Sequence, residues 1–282
     1  MKRYETCTTK SNSSGQQYQS CSNTNLILTY VYLALMFFWT VQVITNVLHT
    51  SIAGLFASYF FYEGTPEGYP SKNPYLSSLK RASIFSFGSI CFGSLIVAIL
   101  QTLRAILSYA RSSNSDDPIS VILIVCADCI LSCIQSLLEY FNKYAYIEIA
   151  IYGKPFIKAA KDTWTLLTSK GIMALVNDCL VGNVVLMGSI AVGTICAIIS
   201  YFLSLGIVNS VKSNNSNGIL LAFIGFAFGV SIFQIINGVM TSGSSTTFVC
   251  LAEDPHAISR NHPSLYSTIS SRYPDVVSGI ER

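Results

Sequence analysis

Charged side chains are scarce in this chain: 11% of 282 residues, against 51% that are hydrophobic. Soluble domains usually carry about 25% charged residues, and a chain this poor in charge cannot cover a water-facing surface. A freely soluble globular protein is therefore excluded, and the lipid bilayer is the expected solvent. The mean hydropathy of +0.50 agrees. A basic tract is missing as well; the net charge is only +3, so no nucleic-acid partner is expected. Histidine is limited to His49, His256 and His262, too scattered to suggest a metal centre. HExxH, GxSxG, Walker-type glycine loops and GxGxxG are all absent. Paired aspartates on a helix are missing too, since Asp116 and Asp117 fall in a short loop beside Pro118. The chain is therefore not expected to be an enzyme, and no cofactor or metal is expected. Strand-type alternation in segments of about 10 residues, the mark of a membrane barrel, is not found. The first 25 residues are polar, the reverse of a secretory leader.

Nine cysteines are present. Cys7 and Cys21 lie in the polar N-terminal segment and form the one candidate disulfide pair, provided that segment meets an oxidising compartment. Cys91, Cys126, Cys129, Cys133, Cys179, Cys196 and Cys250 sit in or beside apolar runs and read as packing residues. Cys126 and Cys129 have CxxC spacing, but inside a hydrophobic run and without a second pair, which argues against metal or redox chemistry.

A helix crossing the hydrocarbon core needs about 20 mostly apolar residues. Five stretches qualify: 26–48, 82–103, 119–138, 180–205 and 219–239. The fold class is all-α, a polytopic transmembrane helical bundle, with residues 26–240 forming the membrane region. Lys143, Lys154, Lys158, Lys161 and Lys170 place a positive excess between the third and fourth spans, and such loops favour the cytoplasm. Alternation then puts residues 63–81 and a tail at 241–282 in the cytoplasm. Residues 1–25, 108–118 and 206–218 fall outside, where the sequons at Asn12 and Asn214 can be glycosylated. Small residues recur along three spans: Ala82, Ser86, Ser89 and Gly93; Gly182, Ser189, Gly193 and Ser200; Gly218, Ala222, Gly225 and Gly229. Lipid offers no hydrophobic drive for helix association, so stripes that let backbones approach are what hold a bundle together.

Between the third and fourth spans lies YAYIEIAIYGKPFIKAAKDTWTLL, residues 144–167. Gly153 can end one helix and Pro155 begin the next. Beyond it, Phe156, Ala160, Trp164 and Leu167 share one face, with Lys154, Lys158 and Lys161 opposite. Residues 154–168 thus read as an amphipathic helix lying at the membrane interface; a solvated loop helix is the alternative. Upstream, Asp128, Ser132, Gln135, Glu139, Asn142 and Tyr146 step by 4-3-4-3-4, a polar seam on one helix face. A charged side chain at the bilayer centre costs about 2.5–3.5 kcal/mol on insertion scales, so such residues face a bundle interior or a wet cavity. The seam lines a solute path, with Asp128, Gln135 and Glu139 as candidates and Glu148 close by, or bonds one helix to another, or faces the cytoplasm if the helix sits at the membrane interface. On the first span Trp39, Gln42, Asn46 and His49 form a second polar face. An aromatic ring beside amides suits a quaternary ammonium; interfacial anchoring and interhelical bonding are the competing readings.

The runs EYFNKYAYIEIAIYGKPFIKAAKDTWTLL, TSIAGLFASYFFY and SFGSICFGSLIVAILQ, with the tail FVCLAEDPHAI, HPSLY and YPDV, resemble choline transporter-like proteins, in particular their fungal plasma-membrane branch. The resemblance covers nearly all of the chain from Leu26 to Val277 and corresponds to the C-terminal half of that family's pattern. It implies a multi-pass plasma-membrane solute carrier that moves a small organic solute, a choline-like cation being the expected class. The remaining N-terminal half or other subunits are then expected partners beside the bilayer. A non-transporting scaffold or regulator, or an inactive piece of a transporter, is the alternative reading.

Overall fold

The computed structural model describes residues 6–11, 17–22, 24–63, 68, 71–113, 118–211, 216–254, 257, 259–260 and 263–272. The sequons at Asn12 and Asn214 lie outside the described residues. The described chain is an all-α polytopic bundle, preceded by one short antiparallel hairpin of β1 (Thr6–Ser11) and β2 (Gln17–Ser22). No strand was expected there. The register pairs Cys7 with Cys21.

The long helices are α1 (Thr24–Tyr62), α3 (Phe87–Ser113), α4 (Pro118–Tyr152), α5 (Phe156–Val211) and α6 (Ser216–Glu253). Each contains a stretch long and apolar enough to cross a membrane. Two shorter helices are α2 (Pro74–Lys80) and α7 (Pro263–Arg272), and a π-helical turn, Arg81–Phe85, joins α2 towards α3. Hydroxyls within the long helices bond the carbonyl one turn back, as in Thr40 to Met36, Thr102 to Ala98, Thr194 to Ile190 and Ser231 to Ala227. Such bonds satisfy a polar group where no water is available.

The chain divides into two compact units: Met1–Asn46 with Phe87–Asn142, and Val47–Ser86 with Lys143–Arg282. In the first, side-chain hydrogen bonds tie α3 to the opening part of α1 and to α4. Trp39 Nε1 donates to the Cys91 carbonyl at 3.0 Å, Asn46 Nδ2 to Ser94 Oγ at 2.9 Å, and Asn142 Nδ2 to the Gly93 carbonyl at 3.3 Å. Ile90, Val97 and Ala98 of α3 are buried. In the second unit α5 and α6 run against each other. A Cβ on Gly193 would stand 2.8 Å from the Phe226 ring, one on Gly188 would meet Phe233 at 2.5 Å, and one on Gly229 would meet Cys196 at 2.9 Å. Gly225 is covered by Ser200 in the same way. Gly182 has open space instead, so the helix contact is centred on the later part of the α5 stripe.

Three expectations change. The stretch 154–168 is no separate interfacial helix. It opens α5, which continues unbroken for 56 residues because no proline interrupts the ladder between Pro155 and Pro255. At about 1.5 Å per residue this rod is far longer than the ~30 Å hydrocarbon core, so its first turns extend beyond the spanning part. Its buried face is Phe156, Ala159, Thr163 and Leu166, with Trp164 exposed. The tail does not begin at 241 either: residues 241–253 belong to α6, with Ser242, Ser245, Thr246, Val249 and Cys250 buried. Lastly, Cys126, Cys129 and Cys133 are exposed free thiols, so they face the surroundings of α4 and not a packed core.

Candidate functional site

The polar seam is drawn together by a residue the spacing did not suggest. Arg104 of α3 reaches across to α4, where its Nε donates to Asp128 Oδ1 at 2.9 Å and its Nη1 to Gln135 Oε1 at 3.0 Å. Gln135 Nε2 passes the chain on to Glu139 Oε1 at 2.7 Å. Arg104, Asp128, Gln135 and Glu139 thus form one connected ladder. Asp128 and Gln135 lie almost two helical turns apart, and only the planar guanidinium has donors spread widely enough to serve both. The ion pair is partly open, with side chains 33% and 45% exposed, and Glu139 is exposed. An arginine near the end of an apolar run reads as a span terminus, which is why only the α4 partners were visible in the sequence.

The first-span face is spent differently. Trp39 and Asn46 bond α3, as given above, so their polar atoms are engaged in helix packing. Gln42 is half-buried beside them. His49 belongs to the second unit, where its ring nitrogens lie 2.7 Å from Ser242 Oγ and 3.1 Å from the Lys143 carbonyl.

Glu148 is also in the second unit, in its core. Tyr144, Tyr146, Ile147 and Ile149 around it on α4 are buried, and Glu148 itself is 1% exposed. The chain then reverses: Gly153 takes φ +66° as its N–H closes on the Ile149 carbonyl, and the Pro155 carbonyl accepts from Lys158 and Ala159 to start α5. That turn sends Lys154 back toward the protein. Its Nζ lies 3.3 Å from Glu148 Oε2 and 2.6 Å from Asp162 Oδ2, and 4.1 Å from the centre of the Tyr152 ring. Lys154 was expected to face water with Lys158 and Lys161; only the latter two are exposed. Glu148 Oε1 and Thr163 Oγ1 are buried without a partner among the described residues. The described residues hold no group of His, Cys, Asp and Glu able to bind a metal.

Comparison with known proteins covers nearly the whole chain. The family described as plasma-membrane choline transporter matches residues 2–256. Among similar curated proteins, Protein PNS1 of Cryptococcus neoformans is 40% identical over 92% of this chain and 48% of its own length. Protein pns1 of Aspergillus fumigatus is 37% identical over 93% of this chain and 49% of its own length. Protein PNS1 of Saccharomyces cerevisiae is 38% identical over 92% and 48%. The chain spans about half the length of the curated relatives it matches.

Proposed function

Because this chain belongs to the plasma-membrane choline transporter family, we propose that it helps move a small organic cation of the choline type across the plasma membrane, acting with the further spans its longer relatives possess. The observation that carries this reading is the ladder Arg104–Asp128–Gln135–Glu139. Ionisable groups inside a membrane span are costly and mark solute or ion pathways. Here Arg104 already occupies Asp128 as a cation would, so an incoming organic cation can compete with the guanidinium, while Glu139 at the exposed end of the ladder supplies a carboxylate. Trp39 and Asn46 hold α1 on α3 and position that wall, with Gln42 between them. In the second unit Lys154, clamped between Glu148 and Asp162, fixes the joint where α4 turns into α5, with Lys158, Lys161 and Trp164 on its outer side. On this reading, which the lysine excess supports, the joint, residues 63–81 and the chain beyond α6 face the cytoplasm, with Asn12 and Asn214 outside as glycosylation sites.

The test is uptake of labelled choline by cells expressing the full-length protein. Glu139→Gln, which keeps the shape and the bond from Gln135 but removes the charge, is expected to lower the initial rate about tenfold, the loss typical of one charge-assisted contact. Unchanged uptake removes Glu139 from the path. The saturation of Asp128 and Gln135 by Arg104 favours a second reading, in which the ladder only fastens α3 to α4 and the protein is a scaffold. In that case flux is indifferent to the ladder, and partner capture depends on the residues beyond Glu253.

A further inference from the structure

The second unit contains a cavity of about 840 Å³, within the range of small-molecule pockets, and nothing in the proposed path uses it. It lies among the end of α1, the start of the π-helical turn, and the ends of α4 and α6. Six of its lining residues decide its chemistry: Phe61, Tyr62, Arg81, Tyr152, Glu253 and Asp254.

Arg81 opens the π-helical turn, where the Ser86 N–H closes on the Arg81 carbonyl at 2.9 Å and so reaches one residue farther than an α-helical bond. Single π turns recur at functional sites. The Arg81 side chain is half-buried, yet among the described residues it has no ion pair and no side-chain hydrogen bond. A partly desolvated guanidinium without a counter-charge is a cost that an anionic ligand group would remove. Two carboxylates line the same cavity. Glu253 accepts from the Tyr152 hydroxyl, which fixes its position, and Asp254 stands 3.6 Å from Arg260 on its outer side. The Tyr152 ring already carries the Lys154 ammonium 4.1 Å from its centre, and Phe61 and Tyr62 supply two further rings. Aromatic faces beside carboxylates hold alkylated ammonium groups.

From the unpartnered Arg81 set in one cavity with Glu253, Asp254 and aromatic rings, we propose that this pocket binds a small zwitterion, its carboxylate on Arg81 and its alkylammonium toward Glu253 and the rings. The ligand class is that of betaines and N-methylated amino acids. A simple cation leaves Arg81 uncompensated, and an inorganic anion meets two carboxylates, so both bind more weakly.

The proposal goes beyond the transport reading and is tested without flux. Isothermal titration calorimetry is run on the full-length protein in detergent with glycine betaine, choline chloride and inorganic phosphate. Glycine betaine is expected to bind about tenfold more tightly than choline, the value of one charge-assisted contact, and phosphate not to register. Arg81→Gln brings betaine down to the affinity of choline, and Arg81→Lys, keeping the charge, restores part of the difference. Glu253→Gln weakens betaine and choline together. Equal affinity for betaine and choline in the parent protein, no betaine heat at all, or a betaine preference that survives Arg81→Gln overturns the proposal.

Discussion

At the scale of single residues, the pair Glu148 and Lys154 shows how burial decides the value of a charge. Glu148 is almost fully enclosed and one of its oxygens has no partner among the described residues, so Lys154 is what keeps its negative charge tolerable. Removing one member of a buried pair leaves an uncompensated charge and costs about 3–5 kcal/mol, whereas replacing both with apolar groups of similar size is often neutral. Lys154→Met is therefore expected to destabilise the purified protein by about that amount, read as a lowered Tm in detergent, and the double variant Glu148→Met with Lys154→Met to recover most of it. A Lys154→Met protein that melts like the parent would show that Glu148 is satisfied by other means. Arg104 sets a second case. Its fork bonds Asp128 and Gln135 at once, and an ammonium is a point donor that cannot span both. Arg104→Lys should lose about 1.5–3 kcal/mol despite keeping its charge; a Tm within error of the parent would mean that only the charge matters there.

Elements are joined in this protein by the absence of side chains. Gly193 and Gly229 sit where α5 and α6 approach, and the nearest atoms to a Cβ at either position stand below 3.0 Å. Gly193→Leu must push aside the Phe226 ring and Val230, and overpacking of this kind typically costs about 1–3 kcal/mol. Gly182→Ala meets nothing within 4 Å and gains helix propensity worth up to about 1 kcal/mol. Thermal unfolding of both variants distinguishes a stripe that packs from one that is merely periodic; equal effects at Gly182 and Gly193 would remove the packing account. These stripes were legible as spacing, and so was the α4 seam, because a 4-3-4 pattern on a helix fixes a face without any knowledge of its neighbour. What covers each face was not legible. Phe226, Phe233 and Arg104 reach their partners through side-chain rotamers that one-dimensional periodicity does not encode. The limits of α6 were misread for a related reason: Ser242, Ser245 and Thr246 resemble a polar tail in composition, yet their small size is what allows them to be buried. Lys154 was assigned to water by helical spacing from Lys158 and Lys161, but it precedes the helix, and the positive φ at Gly153 turns it inward.

For the molecule as a whole the governing fact is what its surface exposes. Phe37, Met187, Phe223 and Ile235 are more than 60% exposed, a pattern that water would penalise at about 25 cal/mol per Å² of apolar area and that lipid does not. Five helices are long and apolar enough to cross, and the proposed orientation follows by alternation. If the lysines of the α4–α5 joint lie in the cytoplasm, the joint between α1 and α2 and the segment after α6 are expected on that side, and the joint between α5 and α6 on the opposite one. Single cysteines at Ser71, Asn214 and Ser271 in the full-length protein read this directly with a membrane-impermeant maleimide, each compared with the parent to subtract its native thiols. Intact cells should gain label only at Asn214→Cys, and Ser71→Cys and Ser271→Cys should gain it only after permeabilisation. Label at Ser71→Cys and Asn214→Cys from the same side would mean that an even number of crossings separates them. One of α3, α4 or α5 would then lie along the membrane, and α4 is the helix most exposed to that outcome. Its ladder of Asp128, Gln135 and Glu139 is tolerable at the interface at far lower cost than at the bilayer centre, so the same labelling pattern also decides whether those residues stand in a crossing path at all.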